Sequence, residues 1–179
     1  MALLGIEYDI RPRSSLVRSR AAPTGPQIRL LGREQLHELQ NFFIRLDRSS
    51  RCRRFGHAAS DASVAARAGT ALQDASCVIG AYVDADLRGV LEVYSCAPNP
   101  YSEAALVVSQ DWRRRGLGWT LLRAAATWAS AARGEGIRLL FTRDNWPMRH
   151  LANKANARFD LTLDEICAEV TAARLRGST

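Results

Sequence analysis

Of the 25 basic side chains in this 179-residue sequence, only Lys154 is a lysine, and arginine supplies the rest. No apolar run approaches the roughly twenty residues a membrane helix needs. The opening MALLGIEYDIRPR brings in charge before a signal-peptide core can develop. The chain therefore reads as soluble and cytoplasmic, with no membrane partner. Cys52, Cys77, Cys96 and Cys167 are widely spaced, with no C-x-x-C pair and no histidine at ligand spacing. That pattern argues against a structural metal and against a disulfide framework, so no metal is expected. The net charge of +7 and pI near 9.9 fit nucleic acid, an acidic substrate or simply a basic surface. Aromatic residues are few in the basic N-terminal segment, which speaks against nucleic acid. His37 and His57 have no partner signal and are assigned no role.

The length fits one domain with one core. Residues 1–25 mix arginine and proline without periodicity and read as a basic flexible tail, leaving 26–175 as the domain. QIRLL, 27–31, reads as a strand. A helix is expected over 33–46, with Leu36, Leu39, Phe43 and Leu46 on one stripe, and a second over 61–72, capped by Ser60 or Asp61. Strands follow at 76–83, 87–95 and 102–108, the first two joined by the turn VDADLRG. A helix at 116–132 carries Leu117, Leu121, Ala125, Trp128 and Ala132 on one face and is ended by Gly134 and Gly136. A strand at 137–142, a helix at 147–155 started by Pro147, and one or two strands over 159–170 close the chain. The order β-α-α-β-β-β-α-β-α-β makes an α/β chain with a mixed, mostly antiparallel sheet and helices on both faces. Within it the strands at 102–108 and 137–142 run parallel across a helical crossover.

The most informative stretch is EAALVVSQDWRRRGLGWTLL. A strand ends at Val108, and Arg113, Arg114, Arg115, Gly116, Leu117 and Gly118 lead straight into a helix that continues through Trp119 and Thr120. The unpaired N–H groups of a helix start, at the positive end of its dipole, form an anion site. Gly116 and Gly118 leave the main chain open to a pyrophosphate, and the three arginines add charge-assisted donors. The pattern is not a Walker A loop, and a dinucleotide fingerprint would need glycine at Leu121.

Arg113-x-x-Gly116-x-Gly118 resembles the pyrophosphate loop of the GNAT family of N-acetyltransferases: Gln or Arg, two residues, Gly, one residue, then Gly or Ala. RDNWPMRHLANKANARF is similar to that family's segment after the fifth strand, where an asparagine, here Asn145, begins a helix beside the pantetheine arm of CoA. Asn156 stands where the family usually has glycine at that helix's end. FFIRLDRSSRCRRF resembles the first-helix region of the bacterial protein-lysine acetyltransferase branch, which reads serine, several residues, arginine, phenylalanine.

The resemblance implies the GNAT acyl-CoA N-acyltransferase fold, covering about 27–172, and acetyl-CoA as co-substrate. It implies backbone amides of Leu106, Val107 and Val108 along the pantetheine, an amide near Leu106 facing the thioester oxygen, and Glu103 as general base. Glu92, on the neighbouring strand, is the next candidate base. The tyrosine that many relatives use as general acid is replaced by Ala152, with His150 and Tyr101 as weak substitutes. Trp112 and Trp119 flank the loop, where either packs against the sheet or against adenine. The expected activity is acetyl transfer to an amine, either a protein lysine or a small molecule; Lys154 and the N-terminus would be the only amines of its own to modify. The alternative is a non-catalytic acyl-CoA-binding module. The acceptor and the oligomeric state, a homodimer included, stay open.

Overall fold

A computed structural model describes residues 25–162 and 164–176. The expected tail, Gly25 apart, lies outside the described residues. After β1 (Gln27–Leu30) and a 3-10 turn (Arg33–Gln35) come α1 (Leu36–Ile44), α2 (Arg48–Phe55) and α3 (Asp61–Asp74). β2 (Cys77–Val83), β3 (Asp86–Tyr94) and β4 (Tyr101–Val108) precede α4 (Leu117–Ala131). β5 (Gly136–Thr142), α5 (Trp146–Lys154), β6 (Arg158–Leu161), β7 (Glu165–Thr171) and α6 (Ala172–Arg176) complete the chain.

The seven strands form one sheet in the order β1-β2-β3-β4-β5-β7-β6. Only β4 and β5 pair in parallel, and α4 is their crossover. The β2–β3 hairpin turns on Asp84 and Ala85, both at positive φ, as a two-residue turn between right-twisted strands requires. The expected closing region resolves into the β6–β7 hairpin and α6.

The helix expected over 33–46 is shorter. Residues 33–35 form the 3-10 turn, α1 ends at Ile44 with Arg45 as its C-cap, and the extended Asp47 caps α2 by accepting from the Ser50 amide at 2.9 Å. Its apolar stripe was nonetheless on the right face: Leu39, Phe43 and Leu46 are buried with Val64, Val78, Val90 and Val107 between α1, α3 and the sheet. α3 starts where expected, with the Ser60 hydroxyl accepting from Ser63 N.

The opposite sheet face packs on α4, α5 and α6. Leu117, Leu121, Leu122, Ala125 and Ala129 of α4 meet Ile79, Leu91, Leu139, Ile166 and Val170. Trp128 is only half-buried and Ala132 is exposed, so the buried stripe swings toward Leu122 and Ala129. α4 ends in a Schellman pair, Gly134 N to Ala129 O and Arg133 N to Ser130 O, with Arg133 rather than a glycine in the left-handed position. Gly136 instead answers to crowding, since a Cβ there would lie 2.1 Å from the Val170 carbonyl oxygen. Asn156 does adopt φ 50 after α5, and Ala157 N bonds to Ala152 O at 3.0 Å, as the expected asparagine cap requires.

Candidate active site

The centre of the sheet opens. β4 and β5 pair only from Tyr101 with Gly136 to Ala104 with Leu139. Beyond that point Ala105 to Val108 keep their partners on β3, and Leu140 to Thr142 keep theirs on β7, but the two strands no longer face each other. Backbone groups along this part of β4 are thus left without strand partners on one side, and such groups need donors or acceptors from elsewhere. Leu106 and Val108 turn toward α4, and Val107 lies in the opposite core layer.

The loop after β4 leads to the start of α4. Arg114 is at φ 60 and Gly116, the N-cap of α4, at φ 86, a left-handed position that glycine takes without strain. No side chain caps α4, so its first amides are open. A Cβ at Gly118 would lie 3.6 Å from Leu151 Cδ2 and 3.7 Å from Leu106 Cδ2. Gly118 therefore sits where α4, α5 and the parted end of β4 converge, and nothing in the protein crowds it.

The three arginines differ. Arg114 and Arg115 are exposed, and the Arg115 guanidinium lies 4.7 Å from the Trp112 ring centroid. Arg113 turns inward: Nε donates to Val108 O at 3.3 Å, and Nη2 meets Asp47 Oδ2 at 3.1 Å and the Ser50 hydroxyl. Burial pushes the Asp47 carboxyl up, but hydrogen bonds from Ser50 and the Arg113 charge outweigh it and hold that group below the usual carboxylate range. Thr120 spends its hydroxyl on Gly116 O at 3.3 Å, and the Trp119 ring carries Lys154 Nζ at 4.7 Å from its centroid. Asn145 caps α5, its Oδ1 accepting from Met148 N at 3.3 Å.

Glu103 and Glu92 share the sheet face covered by α1 to α3. Glu103 is half-buried at the closed end of the gap, opposite Tyr94 on β3 and beside Arg138 on β5, and makes no hydrogen bond or ion pair among the described residues. Glu92 is 1% exposed and opposite Ala105, where the gap begins. Its Oε2 takes the Arg54 guanidinium and the Tyr94 hydroxyl, the latter at 2.6 Å, while Oε1 is buried without a partner. Burial, then the charge and hydrogen bond of Glu92, push the Tyr94 phenol well above its ordinary value. Ala152 is fully buried and His150 exposed, and Tyr101 pairs with Gly136 at the end of the paired stretch farthest from the gap. The four cysteines are free; burial pushes the Cys77 thiol up to about 12 and raises Cys167 as well, as for packing thiols. Among the described residues no group of acidic, cysteine and histidine side chains suits a metal.

Sequence reasoning missed α2 and its attachments. Asp47 three residues before Ser50, with Gly56 after Phe55, was the available cap signal. The three positions that resemble the lysine acetyltransferase branch are the points where α2 is fastened. Ser50 is buried against Arg113, Arg54 pairs with Glu92, and Phe55 stands edge-on to Phe43 at 5.3 Å.

A parallel pair that separates beside an uncapped helix start gives an elongated molecule with an anionic end both a strand edge and an anion site. The model of the acetyltransferase (GNAT) family matches residues 36–156, and the chain belongs to that family. By class it is an N-acetyltransferase. Its fold is similar to that of the GNAT domain of PAT from S. lividans, with a TM-score of 0.72 and 14% identity over 84% of this chain and 96% of that one. It is also similar to the spermidine N-acetyltransferase of Vibrio cholerae, in complex with CoA and spermine (TM-score 0.68, 14% identity, 85% and 98% covered). A third is the PaiA N-acetyltransferase of Thermoplasma acidophilum, in complex with coenzyme A (TM-score 0.64, 18% identity, 83% and 99% covered). No match to a curated protein sequence was found. Among the described residues no helix is long and apolar enough to cross a membrane.

Proposed function

We propose that the chain moves the acetyl group of acetyl-CoA to a primary amine, on a protein lysine or a small molecule, and does so in the cytoplasm. The observation that carries this reading is the parting of β4 from β5 beside the uncapped start of α4. Residues present there fit the co-substrate. The free edge of β4 from Ala105 to Val108 suits the amide-bearing pantetheine, and the amides of Leu117 and Gly118, with Arg114 and Arg115 outside them, suit the pyrophosphate. Clearance at Gly118 leaves that approach open.

In the reaction the neutral amine attacks the thioester carbonyl, the C–S bond breaks, and sulfur leaves as the CoA thiolate. A β4 amide near Leu106 would stabilise the oxyanion. Glu103 accepts the amine's proton. It lies three residues from Leu106, about 10 Å along a strand, so a chain of waters carries the proton between them. Glu92 is nearer by register but is engaged by Arg54 and Tyr94. With Ala152 buried, no acid acts from that position, and a thiol with a pKa of about 8.5 can leave as the anion.

A second reading, a non-catalytic acyl-CoA-binding module, rests on that same loss of an acid at Ala152. Thiol release from acetyl-CoA over a panel of spermidine, lysine peptides and free amino termini separates the two. Turnover on any of them, reduced at least about a hundredfold by Glu103→Gln, supports transfer; binding without turnover supports the module. Similar folds in acetyltransferases of spermidine and of the ribosomal protein S5 alanine leave the acceptor to that panel.

A further inference from the structure

α2 has little to hold it by burial. Its sequence is RSSRCRRF, and Ser50 is its only buried residue. An eight-residue helix with no apolar stripe does not persist on propensity alone. Apart from Phe55, which stands edge-on to Phe43, its placement comes from polar contacts. Near the C-terminus Arg54 pairs with Glu92. In the middle Arg51 reaches Ala59 O at 3.1 Å, Leu46 O at 3.2 Å and Asp61 at 2.7 Å. At the N-terminus Asp47 and Ser50 receive Arg113, from a loop more than sixty residues away in sequence.

We propose that Arg113 is a positioning residue for the acceptor side rather than a phosphate ligand, tying the start of α2 to the loop that holds acetyl-CoA. Two of its three guanidinium nitrogens are engaged within the protein, Nε by Val108 O and Nη2 by Asp47 and Ser50. The guanidinium therefore joins the end of β4, the helix above it and the loop in one contact. This inference rests on the reading of Gly116 to Gly118 as the pyrophosphate site. The loop has left-handed positions at Arg114 and Gly116, and an anion bound to the amides that follow removes its freedom to rearrange. Arg113 then passes that restriction to Asp47 and Ser50. α2 covers Glu92 on the face that carries Glu103, so acetyl-CoA binding fixes a wall of the acceptor side. Segments with few apolar contacts open locally at low cost, which makes α2 the place where such an effect is visible.

The test is hydrogen exchange of the full chain with and without saturating acetyl-CoA, read on peptides covering 48–55, with calorimetry of acetyl-CoA on the same samples. In the wild type acetyl-CoA should slow α2 exchange about tenfold. Arg113→Ala and Asp47→Asn should each abolish that increment, Arg113→Lys should restore part of it, and the Kd for acetyl-CoA should stay within about threefold of wild type in Asp47→Asn. A guanidinium that merely propped up α2 would lower protection equally in both states and leave the increment intact, which would overturn the proposal. So would a loss of acetyl-CoA affinity above about tenfold in Arg113→Ala with Asp47→Asn binding normally, the mark of a direct phosphate contact. Absence of acetyl-CoA binding in the wild type would remove the proposed function itself, and this inference with it. Asp47→Asn keeps the experiment decisive should Arg113→Ala fail to fold.

Discussion

α4 and α2 both border the gap between β4 and β5, and they are held by opposite means. α4 buries seven of its side chains and would stay in place with its charges removed. α2 buries one and depends on Arg54, Arg51 and Arg113 finding their partners. The difference divides labour at the site. On the proposed function, the apolar helix would give the cofactor end a fixed anion site, and the charge-fastened helix would give the acceptor end an element that can respond to what is bound.

Perturbations should separate the two helices cleanly. Leu121→Ala, at a side chain with no exposure, should cost about 3–4 kcal/mol in denaturant unfolding and lower the whole transition. Arg54→Ala leaves Glu92 buried without its cation and should cost about 3 kcal/mol. The double variant Arg54→Leu with Glu92→Leu should recover most of that, since apolar side chains of similar volume often replace a buried ion pair without loss. Failure to recover would mean that the pair does more than fasten α2. Asn145→Ala should cost about 1 kcal/mol through the lost cap on α5, measured in the same way. Arg88→Ala, whose partners Asp86 and Asp111 are more than half exposed, should change stability by less than about 1 kcal/mol.

Acid should touch α2 before α4. The Asp47 carboxyl lies below its unfolded value of about 3.9. Its contribution is therefore complete above about pH 4 and is lost as pH falls through the folded value. Exchange of α2 amides should accelerate over that fall, corrected for intrinsic rates, and Asp47→Asn should flatten the dependence while α4 amides follow the wild type.

The same contrast decides what was legible in the sequence. Helix α4 announced itself through the spacing of Leu117, Leu121 and Ala125, and the parallel β4–β5 pair followed from it. The fold and the Arg113-x-x-Gly116-x-Gly118 loop could be read because periodicity and glycine placement are local. α2 fell between the helices expected over 33–46 and 61–72, because RSSRCRRF has no apolar period to mark it. The inward turn of Arg113 was equally hidden. Three consecutive arginines look alike in a sequence, and only the fold brings Asp47 and Ser50 to the first of them. Glu92 was named only as a second candidate base, because nothing near it in sequence reveals Arg54.

Calorimetric titration of acetyl-CoA into the wild type and into Gly118→Glu tests the central claim most directly. The wild type should bind with micromolar affinity. Gly118→Glu, which sets a carboxylate at the start of α4, should bind about a hundredfold more weakly or not at all while melting as a folded protein. Equal affinity in the two, or no binding in the wild type, would contradict the assignment of this site to acetyl-CoA.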